Sequence, residues 1–272
     1  MPQTGQVTFS FPAFKGAARG LVLSNLVAYF LLLLVRLAFR EWAFHAVYLL
    51  GFVPGDFLYG RFWQPFTYSF IHTDLSETLF GLLFLWLFVG LLERYHESSW
   101  VMGLYASTVL GTALCAALLY SVSGLFGYPM SPALLIGTAG GGFGIIIAIG
   151  VLHGDLDFML FPLPITMKAR YLAAIFAIVS FALLFGDQKL YAFAELGGAL
   201  VGLLYARFAP RRGVTFPFSE SLYAVRNRFY RWKRRRAARK FEVYMKRQGR
   251  TVRLDGQGRQ IDDDHNDKKR WN

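Results

Sequence analysis

The groups able to do chemistry in this chain are two carboxyls, Glu77 at the polar start of a long apolar run and Glu195 inside a glycine-rich one. In the stretch from Ala194 to Gly202, Glu195, Gly198 and Gly202 fall at i, i+3 and i+7, one face of a helix. A second run, Gly137 through Gly144, places Gly140, Gly144 and Ala148 at i, i+4 and i+8, a groove of small residues into which another helix can close. The spacing therefore predicts that these two helices pair and that the Glu195 carboxyl points into the contact. Glu77 stands about one turn inside the apolar edge of Leu75 to Leu92, a costly place for a charge unless it faces protein or trapped water. Carboxyls in a low-dielectric site can act as a proton site, an aspartic-type hydrolase or a receptor for a basic segment. The plainer reading leaves Glu195 protonated and hydrogen-bonded within a bundle and Glu77 solvated. His45, His96, His153 and His265 show no metal-ligand spacing, Cys115 is the only cysteine, and no metal, disulfide or cofactor is implied.

The elements that must position these groups are membrane helices. The chain is 55% hydrophobic over 272 residues, with apolar runs too long for a soluble or disordered protein. Candidate spans run near Gly20 to Leu37, Leu75 to Leu92, Trp100 to Val122, Thr138 to Leu152, Tyr171 to Gly186 and Leu190 to Phe208. Six crossings put both termini on one side. Lys15, Arg19, Arg94, Lys168, Arg170, Arg211 and Arg212 share that side, against Arg40, Arg61 and Lys189 opposite, so it is expected to be the cytoplasm. The first run has no convincing cleavage site after it and reads as an anchor. Between the first two spans, Glu41 to Ile71 is broken by Gly51, Pro54, Gly55 and Gly60 yet rich in aromatics, which predicts a partly embedded loop with a short amphipathic helix.

The two glycine motifs together resemble the rhomboid family of intramembrane serine proteases, which reads Gly-x-Ser-Gly in its fourth helix and Ala-His-x-x-Gly-x-x-x-Gly in its sixth. Gly137 and Gly140 match the first motif, with Ala139 at the nucleophile; Ala194, Gly198 and Gly202 match the second, with Glu195 at the histidine. The segment from Trp63 to His72 looks like the closing part of that family's first loop, and the stretch around Phe161 to Ile165 resembles its linker between helices four and five. Active members carry His, His and Asn at the start of helix two. Here His72 keeps the first, while Glu77 and Gly81 stand where oxyanion donors belong. The resemblance implies an all-α, six-helix rhomboid-like bundle, with Phe143 beneath the histidine position and Glu77 and Glu195 near each other beside Ala139. It also implies a pseudoprotease: alanine cannot attack a carbonyl, and Thr138 is turned by about 100 degrees from that position. Inactive relatives bind transmembrane segments, which predicts client binding at Glu77, Phe143 and Glu195, with entry between helices two and five. His72, Gly137, Gly140, Gly144, Gly198 and Gly202 would be structural. The alternatives are a hydrolase using Glu77 and Glu195, or a scaffold acting through the tail.

Residues 1–18 read as a cytoplasmic leader, 19–209 as the membrane domain and 210–272 as a basic cytoplasmic tail. Residues 1–210 carry ten basic and ten acidic side chains, so the net charge of +12 lies entirely in the tail. Leu222, Val225, Phe229 and Trp232 recur at helical spacing opposite Arg226, Arg228, Arg231 and the run from Lys233 to Lys240, a basic amphipathic helix. Anionic lipid is its expected contact, at about 1 kcal/mol per basic residue near the surface. No recognition motif accompanies it, so no nucleic-acid partner is expected. The expected partners are membrane lipids and transmembrane segments, the expected location a multi-pass position in a bacterial inner or cell membrane, and the composition implies no particular oligomeric state.

Overall fold

A computed structural model describes residues 12–127, 133–160, 165–186 and 189–209, with scattered residues between 227 and 248. The embedded loop lies within this set. The leader up to 11, the linker Phe161 to Pro164, the Asp187–Gln188 turn, Leu222, Val225 and Phe229 of the tail helix, and the acidic end at Asp262 to Asp264 lie outside it.

The chain is an all-α membrane protein. Among the described residues, four helices are long and apolar enough to cross a bilayer: α1 (Gly16–Ala38), α5 (Leu75–Leu92), α6 (Ser98–Leu125) and α9 (Lys189–Phe208). Between α1 and α5 come α2 (Arg40–Leu50), α3 (Pro54–Leu58), α4 (Gln64–Thr67) and a 3-10 turn at Tyr68–Phe70. Two shorter apolar helices, α7 (Ala139–Leu152) and α8 (Ala169–Leu183), complete the bundle. The 14 residues of α7 reach only about 21 Å, against a hydrocarbon core of about 30 Å. Its middle is nonetheless covered by protein. α5, α6, α8 and α9 all pack on it, and Gly140 to Ile146, Ala148 and Ile149 are buried.

Glycine is a poor helix former, by about 1 kcal/mol per residue relative to alanine, so α7 must be held by packing. Its glycines point to different neighbours. A Cβ on Gly142 would stand 2.8 Å from the Phe84 ring of α5, one on Gly141 would meet Val109 of α6 at 2.8 Å, and one on Gly140 would meet Thr112 at 2.6 Å. On the remaining side, a Cβ on Gly144 would lie 3.0 Å from the Gly198 carbonyl, and one on Gly198 would lie 3.0 Å from the Gly140 carbonyl. The α7 and α9 backbones thus touch directly. Along α6, Gly111 and Gly103 receive Val201 and Tyr205 of α9, and Cys115 packs over Gly197.

The first helix is attached mainly at its start. Ala17 and Ala18 donate their backbone N–H groups to the Glu93 carboxylate at 2.5 and 3.2 Å, and Ser98 donates its hydroxyl to the same group. A carboxylate there satisfies two of the free donors and the positive end of the helix dipole. Val27, Leu31, Leu34 and Leu37 farther along are exposed, as a lipid-facing surface requires.

Two features depart from the helical reading. Asp157–Leu160 and Ile165–Lys168 pair as an antiparallel hairpin, β1 and β2, with Asp157 opposite Lys168 and Leu160 opposite Ile165. The described linker between α7 and α8 therefore includes ladder pairing, whose period-2 signal is lost in four-residue strands. In the region from Thr215 onward, taken by itself, Asn227, Arg228, Tyr230 to Lys233, Arg236, Phe241 and Tyr244 are helical and exposed, and the Arg236 guanidinium lies 5.4 Å from the centre of the Trp232 ring.

Candidate functional site

The embedded loop delivers His72 to the start of α7. Trp63, Gln64 and Thr67 first close the end of α2: the indole of Trp63 donates to the Leu49 carbonyl at 2.9 Å, the Gln64 amide to Tyr48 at 3.3 Å and the Thr67 hydroxyl to Leu50 at 2.6 Å. Those carbonyls are the unpaired acceptors of a helix C-terminus, which these side chains satisfy. The loop is then stapled inward. Phe52 and Leu135 exchange both backbone hydrogen bonds at 2.9 Å, and the Gly137 N–H donates to the Tyr68 carbonyl at 3.0 Å. The Tyr68 hydroxyl donates to the Val109 carbonyl of α6 at 2.9 Å. Tyr191, at the start of α9, donates to the Leu134 carbonyl from the other side.

Gly137 turns the chain into α7 with φ of +85°, a left-handed conformation that glycine adopts without strain. Around it gather the residues singled out from the sequence. The Glu77 Oε1 stands 3.0 Å from where a Cβ on Gly137 would sit, and His72 Nε2 stands 3.9 Å from the same point. A Cβ on Gly81 would come within 2.8 Å of the Thr138 hydroxyl and 3.9 Å of His72 Nε2. The absence of a side chain at Gly81 is thus what lets α5 close on the α7 N-terminus. His72 is buried, its Nδ1 is 3.3 Å from the Phe70 carbonyl, and its Nε2 has no hydrogen-bond partner among the described residues. Burial lowers its pKa, with the Phe70 carbonyl and the Glu77 charge acting in opposition.

Glu77 is exposed in the first turn of α5, where Asp74 is the N-cap. The Glu77 N–H and the Ser76 hydroxyl both donate to the Asp74 carboxylate, and these bonds hold the Asp74 pKa below the usual range. Asp74 and Glu77 have the spacing of a capping box, a structural reason for an acid at this position that the sequence reading passed over.

Ala139 is the first residue of α7 and is exposed. α5 and α8 both pack on α7 but scarcely on each other, which leaves a lateral breach between them, and Ala139 shares the helix face of Gly142 and Phe143 that looks toward it. Phe84 of α5 lies over Gly142 on one side, and on the other the Phe176 ring of α8 is 6.2 Å from the ring of Phe143. Phe143 therefore packs against α8. Glu195, half-buried in α9, accepts a hydrogen bond of 2.8 Å from the Ser180 hydroxyl. Ser180 is the one polar residue in the interior of α8, so the lone polar group inside one apolar helix meets the sole carboxyl of the next. Gly140, Gly144 and Gly198 form the backbone crossing of α7 on α9, and Gly202 extends it against the Gly144 backbone.

Chemically, the arrangement offers carboxyls, an unpaired imidazole nitrogen and an apolar breach. The position where the rhomboid pattern calls for an attacking oxygen carries a methyl group, and the His72 ring is engaged with a carbonyl, not with a hydroxyl. A family model described as "Eukaryotic integral membrane protein (DUF1751)" matches residues 19–235. That description is eukaryotic, where the sequence reading expects a bacterial membrane. No curated protein matches the chain.

Proposed function

The chain belongs to that family of eukaryotic integral membrane proteins, and from this premise we propose that it is a rhomboid-like pseudoprotease that binds transmembrane segments without cleaving them. The observation that carries the reading is the exposed Ala139 at the breach between α5 and α8, on a bundle whose α7 and α9 glycines are in backbone contact. An apolar helix of a client enters between α5 and α8 and lies against Phe80, which is 72% exposed, and Phe176. Glu77 and Glu195 then select clients that carry an amide or a basic side chain at membrane depth, since an unmet donor there costs several kcal/mol. All six apolar helices cross the bilayer, with both termini in the cytoplasm and the basic tail against anionic headgroups.

The test is photo-crosslinking in cells, with a photoreactive amino acid replacing Phe80 or Phe176 and, as a lipid-facing control, Leu31 of α1. Discrete membrane-protein adducts are expected at the first two positions and not at the third, and Glu195→Gln should weaken them. Equal adducts at all three positions would remove the breach as a binding site. A fluorophosphonate probe that labels the purified protein would instead make it a hydrolase.

A further inference from the structure

Away from the breach, a cavity of about 480 Å³ lies between α1, α2, the start of α5 and the segment before α7. That size falls in the range of about 300–1,000 Å³ typical of small-molecule sites. Its lining is divided. Arg36 and Arg40 contribute cationic groups and His72 an imidazole, and Leu33, Phe44 and Ile136 belong to the apolar remainder. No aspartate or glutamate lines it. Arg36 spends one N–H on the Thr73 carbonyl at 3.3 Å, and among the described residues neither Arg36 nor Arg40 has a carboxylate partner. The buried His72 Nε2 is likewise unpartnered.

Two guanidiniums four residues apart repel one another, and among the described residues no carboxylate supplies a counter-charge. Planar guanidinium forks match phosphate oxygens with paired hydrogen bonds. A free anion would satisfy them but leave the apolar wall bare, whereas an anionic phospholipid fills both halves. The cavity is partly open, and Leu31 and Leu34 on the neighbouring turns of α1, which walls it through Leu33 and Arg36, are exposed as a lipid-facing surface. We infer that this cavity is a binding site for one anionic phospholipid, its phosphate held by Arg36 and Arg40 and an acyl chain lying along Leu33 and Phe44. The bound lipid joins α1, which is otherwise anchored at its far end by Glu93, to the embedded loop that carries His72.

The full-length protein in nanodiscs of phosphatidylcholine is given a trace of phosphatidic acid bearing a photoreactive acyl chain, and labelled peptides are mapped by mass spectrometry. Labelling is expected within residues 29–47 and 134–136, and about tenfold more strongly than with the matching phosphatidylcholine probe. Arg36→Gln with Arg40→Gln should lower it about tenfold while labelling of the tail is unchanged. Ala43→Trp, which fills the cavity and leaves both arginines, should also abolish it, and decides the matter if the arginine variant does not fold. Equal labelling by both lipids, or label confined to the tail, would overturn the site. Loss of label on adding inorganic phosphate alone would reassign it to a free anion.

Discussion

Replacing Gly202 with alanine tests whether the α7–α9 crossing holds the bundle together. A Cβ on Gly202 would lie 2.6 Å from the carbonyl oxygen of Gly144 and 2.8 Å from its Cα. Both are backbone atoms of the central helix, so no side chain can turn aside to make room. Reaching an ordinary separation of 3.4 Å requires α9 to withdraw by about 0.8 Å. A gap of that size forfeits about a quarter to a half of each dispersion contact across the crossing. Overpacking of this kind costs about 1–3 kcal/mol, and the upper end applies where the obstacle is backbone. Alanine returns up to about 1 kcal/mol of helix propensity, leaving a net loss of about 2 kcal/mol. In a chain of this size that lowers Tm by about 4–8 °C. The control is Gly124→Ala near the end of α6, where nothing lies within 4 Å of the new Cβ and the same propensity gain makes the variant neutral or slightly more stable. Thermal unfolding of the purified proteins in one detergent reads the difference. If Gly202→Ala and Gly124→Ala unfold together with the parent, the helices are not in backbone contact and the reasoning fails.

Acidification should weaken the loop through His72: its folded pKa is lowered by burial, so the unfolded chain takes up the proton first, and stability is lost as pH falls below the ordinary value of about 6.5. Unfolding followed between pH 7.5 and 5 should show that slope in the parent and lose it in His72→Gln. Tyr68→Phe removes the buried bond from the hydroxyl to the Val109 carbonyl, which keeps its helix partner, and should cost about 0.5–1.5 kcal/mol, seen as faster proteolysis of the loop before α5. Glu93→Ala frees the first N–H groups of α1, and hydrogen exchange at Ala17 and Ala18 should rise while exchange in α7 is unchanged.

By itself the sequence determined the helices and much of what they can touch. Apolar run length sets α5 at Leu75–Leu92, and the bounds of α1, α6 and α9 follow to within a few residues, because a helix in lipid must satisfy its own backbone and shows this as uninterrupted apolar sequence. The glycine faces of α7 and α9 were legible too, since close approach leaves a period of three and four residues in the chain. So was the methyl at position 139. Tertiary structure alone decided the partners. Ser180 meets Glu195 across two helices, Trp63, Gln64 and Thr67 close the end of α2, and two arginines near a helix break share a cavity with His72. Each of these joins residues that share no spacing or period, set by how far neighbouring helices can approach. That distance is a sum over every side chain between them, which no local stretch of sequence contains.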